Sequence, residues 1–124
     1  MFLGLRTVVY QVINLQEAKQ WYAKVFCRQP YFDEPFYVGF NIGGFELGLD
    51  PGRNGVQPSA DNVVAYWGVE NCQTAFDHLL ASGATAMQMP QEVGGGIVHA
   101  YVLDPFGNVL GVIENPHFKP EEVR

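Results

Sequence analysis

The chain carries an internal repeat, and this repeat constrains the fold more than any other feature of the sequence. Asn14 and Asn71 each stand directly before an amphipathic helical pattern, at an offset of 71 − 14 = 57 residues. Further along each half, "LGL" and "LGV" place Gly48 and Gly111 inside apolar strand patterns, at an offset of 111 − 48 = 63 residues. A pattern that recurs at nearly constant spacing indicates a duplicated structural unit.

Each half of the repeat predicts one helix and several strands. Asparagine is a good N-cap, so helices are predicted for "LQEAKQWYAKVF" after Asn14 and for "CQTAFDHLLAS" after Asn71. Gly43 and Gly44 predict a hairpin turn, and the two prolines at 30 and 35 predict a loop. Strands are predicted, from alternating and β-branched residues, for "TVVYQV", "FYVGFNIG", "FELGLD", "NVVAYWGV", "TAMQM", "GIVHAYVL" and "NVLGVIE".

The order of these elements defines the fold class. A length of 124 residues suits a single domain, and a hydrophobic content of 48% is sufficient for a packed core. We therefore predict one α+β domain over residues 1–124. It consists of two βαβββ modules, at about 5–50 and about 62–115.

Charge and apolar runs exclude several classes of function. A formal net charge of −6 argues against nucleic acid and against anionic membrane surfaces as partners. No apolar run reaches the ~20 residues of a membrane span, and the N-terminus lacks a signal-peptide pattern. Cys27 and Cys72 have neither metal-binding nor redox spacing, so two reduced, buried thiols in a cytoplasmic protein are expected.

Two motifs resemble a known family. "DPFGN" is a tight turn followed by a strand, and "INLQEAKQWYAKVF" leads from a strand end into a helix with a late aromatic pair. Together with the duplication, they are similar to the vicinal-oxygen-chelate superfamily, which includes glyoxalase I, bleomycin-resistance proteins and extradiol dioxygenases. This resemblance covers about residues 5–115 and implies a curved, partly open barrel with a cavity on its concave face.

The resemblance also implies where a metal would bind in related enzymes. The matching positions here are Thr7, Gly48, Val64 and Gly111, and glycine and valine side chains offer no donor to a divalent ion. We therefore expect no stoichiometric Zn, Ni, Mn or Fe and no cofactor. The two glycines are expected to leave open volume in the cavity, although close packing of a strand or of a partner chain remains an alternative.

The candidate pocket follows from strand alternation, which sends every second side chain to one face. His99 and Tyr101 are assigned to it by the resemblance. Glu46 as a solvated rim residue, His99 as a structural residue and the tyrosines as core aromatics remain alternatives. The predicted pocket residues are Gln11, Glu46, Gly48, Tyr66, His99, Tyr101 and Gly111.

Three classes of function remain open. The favoured one is a metal-free binding protein that sequesters an apolar or aromatic compound, with no assigned catalytic residue. The second is a lyase, isomerase or dioxygenase with relocated ligands, or with acid–base chemistry through His99 or Glu46. The third is a protein-interaction domain with a vestigial cavity. A homodimer is expected, because relatives pair their modules and open sheet edges are seldom left exposed.

Overall fold

The structure of the protein is a computed structural model, and it describes residues 1, 3–51, 58 and 63–123. Its helices and strands, in chain order, are β1 (Thr7–Gln11), α1 (Leu15–Phe26), β2 (Phe32–Glu34), β3 (Tyr37–Ile42), β4 (Phe45–Asp50), β5 (Ala65–Gly68), α2 (Cys72–Ala81), β6 (Thr85–Glu92), β7 (Val98–Leu103) and β8 (Val109–Glu114). A 3₁₀ turn, Pro120–Glu122, follows.

The strands form two sheets with the same topology. Their orders are β1-β4-β3-β2 and β5-β8-β7-β6, and in each sheet the first strand pairs in parallel with the last. We call β1–β4 with α1 module one, and β5–β8 with α2 module two. This confirms the predicted α+β fold of duplicated βαβββ units. The sheets do not close on each other, as a partly open barrel requires.

The segment between the two prolines is a strand, so the prediction of a loop there is wrong. Phe32–Glu34 forms β2, which pairs antiparallel with β3, and the Tyr31 amide donates to the Gly39 carbonyl at 3.0 Å. Proline is tolerated at the ends of an edge strand because the strand needs backbone donors on only one side. A strand of three residues carries too little periodicity to be recognised in the sequence.

Both helices begin at the predicted caps. The Asn14 side chain accepts from the Glu17 amide at 3.0 Å, and the Asn71 side chain accepts from the Thr74 amide at 2.9 Å. The predicted hairpin is also confirmed: Gly43 and Gly44 have φ of 62° and 93°, in the region that favours glycine. No helix in the described ranges is long and apolar enough to cross a membrane.

The core lies between the helices and one face of each sheet. Ala18, Tyr22 and Val25 form the buried stripe of α1, and Cys72, Phe76 and Leu79 form that of α2. The strand residues packed with them are Tyr10, Val38, Phe40, Leu47, Leu49, Ala100, Val102, Leu110 and Val112. Every second strand residue is thereby used for packing, so the alternate residues remain on the opposite face of each sheet.

Candidate functional site

The face of each sheet away from its helix carries the predicted pocket residues. In module one, the middle row of this face runs across all four strands, from Phe32 through Gly39 and Gly48 to Val9. We call this the open face of module one. Since Gly39 and Gly48 pair in register, the centre of the face has no side chains of its own.

Two tyrosine rings fill the space above these glycines. A Cβ atom at position 48 would lie 2.6 Å from Cζ of Tyr37, and one at position 39 would lie 3.3 Å from Cε1 of Tyr31. Real Cβ atoms do not approach ring carbons as closely as the first of these distances. The expectation of open volume at Gly48 is therefore wrong, because a neighbouring strand supplies the ring that occupies it.

The two tyrosines meet at one carboxylate. The Tyr37 hydroxyl donates to Oε2 of Glu46 at 2.5 Å, and the Tyr31 hydroxyl donates to Oε1 of the same residue. Burial raises the pKa of Tyr37 well above its usual value, and the hydrogen bond to Glu46 raises it further. Tyr37 therefore stays protonated and acts as a donor, and Glu46 accepts the hydrogen bonds of both tyrosines.

The open face of module two is the sheet face opposite α2. Here too a tyrosine ring covers a strand glycine, but the tyrosine belongs to β5. Its middle row runs from Tyr66 through Gly111 and Tyr101 to Gln88. A Cβ atom at position 111 would lie 2.7 Å from Cδ1 of Tyr66 and 2.9 Å from the Ala65 carbonyl oxygen. Open volume at Gly111 is likewise not found, because the Tyr66 ring and backbone fill it.

The remaining predicted residues of module two surround Tyr66. Its ring centroid lies 5.1 Å from that of His99 and 6.5 Å from that of Tyr101, the latter in an edge-to-face arrangement. The Gln88 amide nitrogen lies 3.1 Å from Nδ1 of His99. The structure therefore brings Tyr66, His99, Tyr101 and Gly111 together on one sheet.

A cavity of about 900 Å³ lies between the two modules, along the edge strands β1 and β5. The chain segments before β1 and after β8 complete its wall. Among the predicted pocket residues, Glu46 and Tyr66 line it, as do Thr7 and Val64, whereas Gln11, Gly48, His99, Tyr101 and Gly111 lie on the sheet faces outside its lining. The modules thus contribute one predicted polar residue each.

Sequence reasoning missed Tyr31, Tyr37 and Gly68. Tyr37 alternates with Gly39 along β3, so phasing of that strand against Glu46 would have placed both on one face. Tyr31 directly precedes β2. Because the sequence did not predict that strand, it gave no face to Tyr31. Gly68 lines the cavity at the end of β5, and apart from its own residue and its chain neighbours no heavy atom of the described residues lies within 4 Å of its Cβ position.

The residues that the structure describes do not fit a divalent metal. Within the described ranges, no group of three or more His, Cys, Asp or Glu side chains is arranged to hold an ion. At the position of Gly48, the Tyr37 phenol occupies the space of a ligand side chain, and its hydroxyl is already engaged by Glu46. Of the four positions, Thr7 alone has a side-chain oxygen, and a neutral hydroxyl is a poor ligand for a divalent ion.

The fold and this cavity together define a class of protein with two βαβββ modules and a cavity between their sheets. The family model of the "Glyoxalase/Bleomycin resistance protein/Dioxygenase superfamily" matches residues 4–112. The chain therefore belongs to this superfamily, as the sequence motifs indicated. A search of curated proteins found no match.

Solved structures show the same fold at low sequence identity. A glyoxalase-related enzyme from Fulvimarina pelagi is 19% identical with a TM-score of 0.76, over 93% of this chain and 90% of that one. A lactoylglutathione lyase from Agrobacterium tumefaciens is 17% identical with a TM-score of 0.75, over 94% and 98%. TioX from Micromonospora sp. ML1 is 18% identical with a TM-score of 0.68, over 90% and 98%.

Proposed function

We propose that this protein is a metal-independent small-molecule-binding protein that sequesters an apolar or aromatic compound. The observation that carries the proposal is the cavity of about 900 Å³ between β1 and β5, which is within the range of about 300–1,000 Å³ typical of ligand pockets. Apolar residues such as Val8, Phe45 and Trp67 line it, and its charged lining residues are Arg6, Glu46, Glu70, Lys119 and Glu122. The apolar part of this lining suits an apolar ligand body, and the charged residues offer polar anchors for it.

The residue types at the four family metal positions support binding over metal-assisted catalysis. Thr7 and Val64 line the cavity with a hydroxyl and an isopropyl group, and neither is a ligand of choice for a divalent ion. Acid–base chemistry is the second candidate function. Its two groups are separated, because Glu46 lines the cavity and His99 lies outside the lining, on module two.

Gly68 allows the cavity to be blocked without disturbing the fold. Gly68→Leu adds a side chain into open space, so we expect unchanged thermal stability and at least about tenfold weaker binding of the neutral fluorescent probe N-phenyl-1-naphthylamine. Fluorescence titration measures the affinity, and addition of EDTA is expected to leave it unchanged.

Gly68→Ala is the matched control, since one methyl group leaves most of the cavity free. It is expected to bind the probe as the wild type does. Absence of probe binding to the wild type, or equal affinity of wild type and Gly68→Leu, contradicts the proposed cavity function.

We also propose a homodimer in the cytoplasm. The edge strand β1 exposes Val9, which is 44% exposed, and each sheet in the described part of the chain ends in strands that pair on one side only. A second copy laid along β1 would cover Val9 and pair that open edge. Cys27 and Cys72 are free cysteines, which suits a reducing compartment. Cys72 is buried as expected, whereas Cys27 is exposed, because it follows the last residue of α1.

Light scattering at low micromolar concentration is expected to give about twice the chain mass of 13.8 kDa. Val9→Lys places a charge on the open face of module one, and it is expected to shift the protein toward the monomer. Glu17→Lys, on the exposed side of α1, is the control for added charge. A wild-type monomer at these concentrations contradicts the dimer.

A further inference from the structure

The carboxylate of Glu46 is held by neutral groups alone. Its two described hydrogen-bond donors are the Tyr31 and Tyr37 hydroxyls, and it forms no ion pair with any residue in the described ranges. Lys19, on α1, is already paired with Asp33 at 3.0 Å. Arg6 and Lys119 line the same cavity, and neither forms an ion pair with the half-buried Glu46 carboxylate.

Further aromatic rings pack next to Tyr37, one of the two tyrosines bonded to this carboxylate. The Phe32 ring centroid lies 6.2 Å from that of Tyr37 and 6.0 Å from that of Phe36. Tyr31 is 64% exposed and Phe36 is 52% exposed, so their ring faces are accessible. We call Tyr31, Phe32, Phe36, Tyr37 and Glu46 the carboxylate–aromatic cluster.

We propose that the carboxylate–aromatic cluster binds an organic ammonium group of the ligand. A carboxylate has about four lone-pair sites, and the two phenols use two of them, so an ammonium N–H can still be accepted. Aromatic ring faces attract cations, so the rings of Tyr31 and Tyr37, whose hydroxyls are bonded to this carboxylate, favour the same charge. The protein's net charge of −6 favours a cationic ligand in the same direction.

This inference rests on the proposed binding function, because Glu46 also lines the cavity between the modules. An ammonium at Glu46 would leave the apolar body of the ligand in that cavity. The ligand class is therefore an amphiphilic amine, with one cationic nitrogen attached to an aromatic or alkyl group. The negative field of the cluster is consistent with the raised pKa of Tyr37, to which the charges of both Glu46 and Asp50 contribute after burial.

Two probes of nearly equal shape test the charge requirement. We expect 2-phenylethylammonium to bind at least about tenfold more tightly than uncharged 2-phenylethanol, measured by equilibrium dialysis at low salt. Glu46→Gln keeps the shape of the side chain and removes its charge, so it is expected to abolish this preference. Glu17→Gln removes one charge from the exposed surface of α1 and is expected to retain it.

A second variant tests the aromatic part of the cluster. Tyr31→Leu removes an exposed ring and leaves Glu46 and its bond to Tyr37, so the fold is retained and ammonium binding is expected to weaken severalfold. Circular dichroism and thermal melts check the fold of each variant.

Equal affinity of the two probes, a preference that survives in Glu46→Gln, or no binding of the ammonium at millimolar concentration overturns the inference. Titration of N-phenyl-1-naphthylamine into the same preparations distinguishes failure of the cationic subsite from failure of the proposed binding function. If this neutral probe binds while the ammonium shows no preference, the cationic subsite is wrong and the proposed binding function stands. If the neutral probe does not bind, the proposed function itself fails.

Discussion

Gly111→Leu is expected to lower the free energy of unfolding by about 3 kcal/mol, at the upper end of the usual effect of overpacking. The new side chain must begin where a Cβ lies 2.7 Å from the Tyr66 ring and 2.9 Å from the Ala65 carbonyl oxygen. The ring can rotate, but the carbonyl belongs to β5, which pairs with β8 in register. Relief of the clash therefore requires separation of two paired strands. Urea denaturation measures the loss.

Gly48→Leu is the matched substitution in the other module, and a smaller loss is expected. The atoms nearest to its Cβ position belong to the outer end of the Tyr37 side chain, which can swing away without moving backbone. The substitution should break the hydrogen bond from Tyr37 to Glu46 while leaving the melting temperature within a few degrees. Equal stability of Gly111→Leu and wild type would show that the space at Gly111 is open.

The repeat and the ends of the helices could be predicted because short-range chemistry determines them. Asn14 and Asn71 cap the helices in both modules, and the glycine pair 43–44 turns the hairpin as expected. In these cases a residue's neighbours in sequence are also its partners in space. Local patterns alone do not specify the sheet topology, and it was predicted from the family motifs.

The filling of the site could not be predicted because it depends on side-chain directions across strands. Gly48 and Gly111 were correctly placed within strands, but the rings above them come from β3 and β5 respectively. Alternation assigns a face to each residue and does not state whether a long side chain leans over its neighbour. The Tyr37 ring leans along the sheet, and this makes the difference between an open cavity and a filled one.

Asp104→Ala is expected to lower the free energy of unfolding by about 3–4 kcal/mol, because it removes the carboxylate that accepts three hydrogen bonds. The Asp104 carboxylate accepts from the Tyr22 hydroxyl at 2.5 Å, and from the amides of Phe106 and Asn108 at 2.8 Å each. Tyr22 is 0% exposed and Asp104 is 3% exposed, so water cannot replace the lost partner. The "DPFGN" turn of module two is thereby attached to α1 of module one, and urea denaturation reports the loss.

Tyr22→Phe is the control that separates this bond from the turn itself. It removes the hydroxyl and leaves both amide donors on Asp104, so a cost of about 1–2 kcal/mol is expected. An equal cost for Tyr22→Phe and Asp104→Ala would place all of the stabilisation in the contact between modules. No cost for either variant contradicts the role of Asp104.

The pH dependence of the same carboxyl distinguishes a buried acid from an exposed one. Burial raises the pKa of Asp104, and its hydrogen bonds only partly oppose this. The folded chain therefore keeps the proton to a higher pH than the unfolded chain does. The stability contributed by Asp104 is full below the unfolded-state pKa of about 4 and declines as the pH rises through the folded-state pKa. Asp104→Asn cannot titrate, so its deficit relative to wild type should shrink with rising pH across this window. A deficit that grows with pH would mean that the hydrogen bonds outweigh burial.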